Sequence, residues 1–539
     1  MSQDSIVHPS HDRSPEADLD RAAGEPKAHE LAGRAAMEDR SAAGDAAIFT
    51  AGVYASQLIL FVAGLVQKGI LGAAGAGYWA LMQSFWTFMS LASLGAYQGA
   101  TRQVPLYRGR GDLSSAAAVA GSGNSFSILA SAVAGVILAV VALFLGSGWS
   151  EELRWGIVLL GLTAPLRLFQ DCHETLFQAI RRFRAVSIAR VVKALVALTL
   201  TTLFVVLFGF YGMFAGAVAA VFATQLLWSR MGLTSPFRPA FGWRLDWSRV
   251  RELIAFGAPI LIVAQVYLLF IAIDSLLVAQ LLGIEQLGYY ALAVSVTIHI
   301  VELPKSFGAV VFPRMTETFG ATSDIASIRH LTAHTQQLLA FVFIPVLMAG
   351  AVFAVPVVIR HALPEFEPAI DVISIMVAGS FCLALTGLPT KMLLAAGYRW
   401  GLTGLELICV ALNAAANYIA MAVLGWGLNG AALATSGSYL VLFLVVTTYA
   451  LSRAYPAREV ARHLGELVAV LAYVVGAIWA LAALAGPGDG LLADAGLAFA
   501  KFAGFLVLLS PWVLLAQRRF NAVSTIRRLA GSALSRRKS

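Results

Sequence analysis

Two stretches decide how this chain is read: LGAAGAGYWAL, residues 71–81, and LGIEQLGYYAL, residues 282–292. Both run Leu-Gly, four residues, Gly-Tyr, any residue, Ala-Leu, and they stand 211 positions apart. Other pieces recur at nearly the same offset. GMFAGAVA from Gly212 matches GLNGAALA from Gly427, 215 later; Arg102 precedes Arg314 by 212; Arg182 and Phe183 precede Arg399 and Trp400 by 217. One such match in an Ala- and Gly-rich chain carries nothing, but four in one register mark an internal repeat.

Composition gives the repeat its setting. Of 539 residues, 59% are hydrophobic and only 13% are charged, against about 25% charged in a soluble chain. Apolar runs of about 20 residues, the length that crosses a bilayer core, recur from Ile48 to Leu515. The chain therefore reads as an all-α polytopic membrane protein, since a barrel shows short alternating segments instead. About fourteen spans are predicted, at 48–70, 78–100, 115–145, 153–179, 186–208, 211–229, 253–281, 289–312, 333–358, 369–393, 401–424, 429–451, 464–485 and 493–515. They divide the chain into a disordered cytoplasmic leader (1–46), an N-lobe of six spans (47–229), a basic linker (230–252), a C-lobe of six spans (253–452), two further spans (453–516) and a basic tail (517–539).

Lys and Arg set the orientation, because they concentrate in cytoplasmic loops. Even-numbered connections hold Arg102, Arg108 and Arg110, then Arg181, Arg182 and Arg184, then the linker, and so on to Arg453, Arg458 and Arg462; odd-numbered ones hold little beyond Lys68, Arg154 and Arg360. Even loops and both termini are thus expected inside. Tyr78, Trp79, Tyr289 and Tyr290 are expected at the outer edge of the membrane and Trp228, Trp243 and Trp247 at the inner one, where amphipathic rings gather. Six spans separate equivalent points of the repeat. An even number returns the chain to the same side, so the repeat is parallel, about an axis along the membrane normal, with a cavity expected between the bundles.

The net charge of +8 is spread over loops as topology requires, so nucleic acid is not an expected partner. Cys172, Cys382 and Cys409 lie inside apolar spans without metal-ligand spacing. No phosphate-loop Gly-Lys-Ser/Thr, no HExxH and no Cys/His cluster is present, so neither an enzyme nor a metal site is expected. Chemistry is sought instead in ionisable groups within spans, each costing roughly 2.5–3.5 kcal/mol on insertion scales. These are Lys68; Asp171 and Glu174; Arg190 and Lys193; Asp274; Glu302 and Lys305; and Glu406, with Asn413 and Asn417 on one face at i, i+4. Glu302 and Lys305 are spaced to pair with each other. Asp171 and Glu174, like charges at the same spacing, require a counter-charge or a proton, and arginine side chains nearby could supply the charge. Asp274 is deep and has no opposite charge in its own span.

At these residues the chain resembles the polysaccharide (O-antigen type) flippases of the multidrug/oligosaccharidyl-lipid/polysaccharide exporter superfamily. The resemblance runs from about Ile48 to Tyr455. It rests on LGAAGAGYWALMQSF, SLGAYQGATRQVPLYRGRGD and QAIRRFRAVSIARVV in the first half, and on FGAPILI, DSLLVAQLLGIEQLGYYALA, VVFPRMTETFG, LLAAGYRWGLTGLE and LNGAALATSGSYL in the second. It implies a V-shaped, two-lobed transporter in the bacterial inner membrane. The implied substrate is an oligosaccharide on undecaprenyl diphosphate, moved to the outer leaflet by alternating access for exopolysaccharide or lipopolysaccharide biosynthesis, with a polymerase or other assembly proteins as partners. It further implies a cationic cavity, which depth and spacing place at Lys68, Arg102, Lys193, Lys305 and Arg314, and ion coupling at Asp274, with Glu302 beside it, by a proton or sodium ion and no other cofactor. Asp171, Glu174, Glu406, Asn413 and Asn417 are secondary candidates. Two other readings stand beside it: a cation-coupled drug or metabolite antiporter of the same fold, whose cavity should be more acidic and aromatic than basic, and a non-transporting membrane component of a polysaccharide assembly complex.

Overall fold

Apolar side chains on every face of a helix suit lipid, where each backbone N–H and C=O must be satisfied within the segment. The computed structural model, which describes residues 28–146, 148–179, 183–231 and 245–520, contains helices and no strand among those residues. The first, α1 (Ala28–Phe88), is followed by α2 (Ala96–Gly109), α3 (Leu113–Leu145), α4 (Glu151–Ala179), α5 (Phe183–Val196) and α6 (Thr202–Arg230). The second half holds α7 (Trp247–Leu281), α8 (Ile284–Thr322), α9 (Arg329–Leu338), α10 (Ile344–Ala362), α11 (Ala369–Ala395), α12 (Arg399–Tyr418) and α13 (Gly427–Leu451). Two more follow, α14 (Ala457–Ala483) and α15 (Leu491–Phe520).

Eleven helical stretches among the described residues are long and apolar enough to cross a membrane. Two of them, Ala51–Ser93 and Arg184–Arg230, run to 43 and 47 residues. At about 1.5 Å per residue these would reach about 65 and about 70 Å, twice the roughly 30 Å of a hydrocarbon core. Each is in fact broken at a glycine in a conformation that side chains disfavour, Gly72 (φ 68°) and Gly209 (φ 56°), and folds back as two spans. With α4, which is long enough but carries Asp171, Glu174 and other charges, the expected fourteen crossings are present among the described residues. α5 runs on into α6, and α9 into α10, through π-helical turns at Ala197–Thr201 and Leu339–Phe343, and a third such turn, Ile419–Val423, ends α12.

Three expectations change. The leader was read as disordered through residue 46. Residues 1–27 lie outside the described residues, but α1 already begins at Ala28. The stretch AHELAGRAAMEDRSAAGDAA is rich in alanine, the strongest helix former, so it needs no buried face to coil. The basic linker was read as running to Glu252. Residues 232–244 lie outside the described residues, and α7 starts at Trp247, where Asp246 caps it by accepting from the Ser248 and Arg249 N–H groups. The tail was read as starting at 517, but α15 continues to Phe520, with 521–539 outside the described residues. A similar cap starts α3: Asp112 Oδ1 accepts from Ser115 N at 2.9 Å and from Ser114 Oγ at 2.8 Å. The Ser115 N–H foremost among these holds that exposed carboxyl down at about 2.

The two copies of the repeated phrase meet. A β-carbon built on Gly77 would lie 1.9 Å from the Ile284 carbonyl oxygen, and one built on Gly288 would lie 1.9 Å from the Ala73 carbonyl oxygen. Ile284 is the repeat equivalent of Ala73, and Gly288 that of Gly77. The contact is therefore reciprocal, as two related surfaces across a two-fold axis require. The helices obey the same exchange: the first arm of α1 packs on α8, while the end of its second arm and α2 pack on α7. At the opposite end, expected to face the cytoplasm, a separate small core closes the lobes together, with Ala96, Ala100 and Val104 of α2 and Val119 and Phe126 of α3 around Val250 and Leu253 of α7. The lobes touch at both ends.

Gly77→Ala and Gly288→Ala are each expected to cost about 1–3 kcal/mol, because a methyl group cannot share space with a backbone carbonyl. Gly404→Ala, on α12 with open space around it, is the control and should be neutral or slightly stabilising. Thermal unfolding in detergent compares them; equal midpoints for all three would remove the contact.

Candidate functional site

The C-lobe buries one carboxylate completely. Asp274 is 0% exposed on α7, in a span whose few other polar residues include Gln265 and Ser275. Its Oδ2 accepts from Tyr290 Oη of α8 at 2.5 Å and from Thr435 Oγ1 of α13 at 3.2 Å, and its Oδ1 faces Ser275 N at 2.8 Å. Asn417 Nδ2 of α12 donates to Thr435 Oγ1 at 3.2 Å and to Asn413 Oδ1 at 2.8 Å, and Asn413 Nδ2 reaches the Phe270 carbonyl at 3.1 Å. Four helices thus converge on one polar cluster inside an apolar bundle. Asn413, Asn417, Tyr290 and Thr435 are each 2% exposed or less. Asn417 Oδ1 is buried without a hydrogen-bond partner. The i, i+4 asparagines read from the sequence do share a face, and they join each other and α7.

Between the lobes runs a polar seam. Lys68 Nζ donates to Ser295 Oγ of α8 at 2.9 Å. His299, one turn further on, lies 3.2 Å from the Gln57 carbonyl through Nε2 and stacks edge-on against Phe61, with ring centroids 4.6 Å apart. Gln265 of α7 donates to Ser90 Oγ at 2.8 Å. Near the inner end Gln103 donates to Glu252 Oε1 at 3.1 Å, and the exposed Arg102 sits 4.7 Å above the Phe256 ring. Lys305 pairs with Glu302 at 2.9 Å, as their spacing allowed. Lys391 of α11 lays its stem against Gly308 and its Nζ over Phe312 at 5.4 Å, both on α8, the helix that carries Lys305. Glu406 on α12 is 2% exposed, with its Oε2 lacking a hydrogen-bond partner.

The remaining candidates separate from these. In the N-lobe, Arg190 pairs with Glu174, and Lys193 with Asp171 at 3.8 Å. The counter-charge that Asp171 and Glu174 required comes from α5, so Lys193 faces a carboxylate of its own lobe. Arg314 lies on α8, and its side chain is outside the described residues. Tyr290 was expected at the outer interface and Trp228 at the inner one. Instead Tyr290 is 0% exposed on Asp274, and Trp228 is 1% exposed with Nε1 donating to the Ala189 carbonyl at 3.3 Å. Sequence reading missed Tyr290, Thr435, His299 and Lys391. Only Lys391 carried a signal, as a cation close to a span end. Among the described residues no group of three or more His, Cys, Asp or Glu side chains could hold a metal ion.

Two pseudo-symmetric helical lobes, one of them burying a carboxylate, thus meet along a polar seam. A family model described as polysaccharide biosynthesis protein matches residues 118–361. No curated protein matches the sequence. Among solved structures, the fold is similar to the inward-facing conformation of a multidrug resistance MATE family transporter of the MOP superfamily. The TM-score is 0.62 at 14% identity, over 75% of this chain and 96% of that one. It is similar to the outward-facing conformation of a transporter of the same description, with TM-score 0.57 at 12% identity over 78% and 97%. It is also similar to the lipid II flippase MurJ in an inward closed conformation, with TM-score 0.58 at 12% identity over 86% of this chain and 99% of that one. At such identities the likeness is one of fold. Together with the family match over residues 118–361 it agrees with the fold that the resemblance to the multidrug/oligosaccharidyl-lipid/polysaccharide exporter superfamily implied.

The asparagine pair makes a direct test of the cluster. Asn413→Ala removes the donation to the Phe270 carbonyl and the side-chain acceptor of Asn417 Nδ2, which keeps the Asn413 carbonyl and Thr435 Oγ1, and is expected to cost about 1 kcal/mol. The exposed Asn429→Ala should stay within about 0.5 kcal/mol. Detergent melting curves read both.

Proposed function

We propose that the protein flips a lipid-linked oligosaccharide, carried on undecaprenyl diphosphate, from the cytoplasmic to the outer leaflet by alternating access between its lobes. The observation that carries this reading is the pair of lobe contacts: a reciprocal glycine contact outside, and a separate small core inside. Two independent closures let one end open while the other holds. Such a carrier has a polyprenyl tail that is at home in hydrocarbon and a diphosphate that is not. A path lined with cations lowers the barrier for the head alone, and Lys and Arg match phosphate oxygens by charge-assisted hydrogen bonds. Lys68, Lys305 and Arg314 are the assigned head-group residues, and Lys391 joins them because it lies near Lys305. Arg102 is placed at the inner entrance. Lys193, held by Asp171, is assigned to structure.

For coupling, the reading places a proton or sodium ion at Asp274. The cluster fits either: a buried carboxylate, the hydroxyls of Tyr290 and Thr435, and the partnerless Asn417 Oδ1 are all oxygen donors, the kind a hard cation takes. Asp274 would bind it, Asn413 and Asn417 would orient the donors, and the surrounding apolar helices would exclude bulk water. The antiporter alternative calls for an acidic, aromatic cavity. In and beside the described seam stand Lys68, Arg102, Lys305 and Lys391 against Glu252, Glu302 and Glu406, a basic excess that favours an anionic head. Residence in a bacterial inner membrane, with both termini inside and an assembly apparatus as partner, belongs to the same proposal.

Reconstitution with fluorescent diphosphate-polyprenyl sugars tests it: wild type should move label between leaflets, and failure to do so favours an assembly role. Asp274→Asn should insert and fold yet flip at least about tenfold more slowly, since the loss of a buried charge-assisted site exceeds about 1.4 kcal/mol. Flipping at the wild-type rate would end the coupling role of Asp274. Arg314→Glu should weaken binding of a diphosphate lipid by about tenfold or more; unchanged affinity leaves Arg314 only its part in topology.

A further inference from the structure

The outer closure has a feature that breaks the two-fold relation. Gly72 and Gly283 are equivalent turn glycines, both with positive φ (68° and 98°). Beyond Gly283 there is open space: a β-carbon there would meet nothing within 4 Å. Beyond Gly72 stands a carboxylate from the other lobe. Glu365 Oε1 accepts from Ala73 N at 2.7 Å, and a β-carbon on Gly72 would lie 2.9 Å from Oε1 and 3.1 Å from Oε2.

Glu365 lies in a short 3-10 turn, Pro364–Phe366, between α10 and α11 of the C-lobe. Both flanking residues are anchored. Phe366 is 0% exposed and meets Tyr289 edge-on at 5.9 Å, within its own lobe. Leu363 is 6% exposed and reaches across to Gly69, where a β-carbon would lie 2.7 Å from its Cδ2. Between these anchors the carboxylate points at the start of the second arm of α1. A helix start presents N–H groups without intrahelical partners and the positive end of the helix dipole. The carboxylate therefore caps a helix that belongs to the opposite lobe. Most caps are local in sequence, and a local cap survives any rigid movement of its lobe. This one, joining residues 292 positions apart, exists only while the outer ends of the lobes are together.

We propose that Glu365 is a one-sided latch of the outer gate, stabilising the outward-closed arrangement by capping α1 at Ala73. The proposal rests on alternating access. A bond made in one state and absent in the other shifts the equilibrium between them by its own free energy. When the lobes part, water replaces the carboxylate at Ala73 N, so the shift is modest. Glu365 contacts neither Asp274 nor the lysines of the seam. It is a positioning residue, and its loss should change which side is open without removing the substrate or ion groups.

The experiment uses the full chain in proteoliposomes, with Cys172, Cys382 and Cys409 replaced by alanine. A single cysteine is placed either at Ala76, 2% exposed at the outer closure, or at Ala100, 1% exposed in the inner core. A membrane-impermeant maleimide is applied from the corresponding side, without substrate. Glu365→Ala is expected to raise the labelling rate at position 76 by about five- to tenfold and to lower it at position 100. Glu365→Gln, which keeps an acceptor oxygen but no charge, should fall between Ala and wild type. Unchanged labelling at position 76 in either folded variant overturns the latch. So does faster labelling at both positions, which marks general loosening. Failure of the transport reading looks different: wild-type labelling at positions 76 and 100 would then not move in opposite directions when a diphosphate-polyprenyl lipid is added, whatever Glu365 does.

Discussion

The close approach of two helix starts, one from each lobe, is the constraint on which the rest of the molecule depends. Gly77 against Ile284 and Gly288 against Ala73 leave no room for side chains. In lipid, helices gain little from burying apolar surface on one another, because the tails are equally apolar, and association rests on close packing and polar contacts. A pair of glycines against two carbonyls is therefore a strong way to fix where the lobes meet. It also fixes how they are related. A reciprocal contact between equivalent residues leaves a two-fold axis along the membrane normal, and that axis makes α7 pack on the second arm of α1 and on α2 as α8 packs on its first arm.

The polar groups follow from the same economy of space. Burying a carboxylate without partners is costly, and Asp274 is supported by hydroxyls from two other helices. The asparagine pair is satisfied through Thr435 and the Phe270 carbonyl. One acceptor, Asn417 Oδ1, is left over. The cluster is therefore nearly but not fully satisfied. In the N-lobe the charges of α4 are instead neutralised by α5. The two lobes share a fold and divide the chemistry.

The repeat is thus a frame on which differences are hung. Gly72 is covered by Glu365 and Gly283 is open; Asp274 has a polar cluster in the C-lobe, where the N-lobe has surface-reaching ion pairs. Yet backbone details that no side chain announces are kept in both halves. The π-helical turns Ala197–Thr201 and Ile419–Val423 fall on the fifth span of each lobe, though ALTLT and IAMAV share no pattern that sequence reading could align.

Length, hydropathy and charge were enough to expect a helical chain with many apolar, membrane-length helices and an internal repeat. These depend on transfer from water to lipid and on counting residues along the chain, and both are local properties. The pairing of Glu302 with Lys305, and the shared face of Asn413 and Asn417, were legible for the same reason: both lie within one helix. What the chain did not disclose needed a partner from elsewhere. Tyr290 reads as one more interfacial aromatic until α8 is laid against α7, and Thr435 reads as a small span residue until α13 closes the cluster. Lys193 reads as free for a substrate until α4 brings Asp171 to it. Hydropathy reports what each residue prefers as a solvent; which residues share that solvent is decided by packing between helices, and only the tertiary structure supplies it.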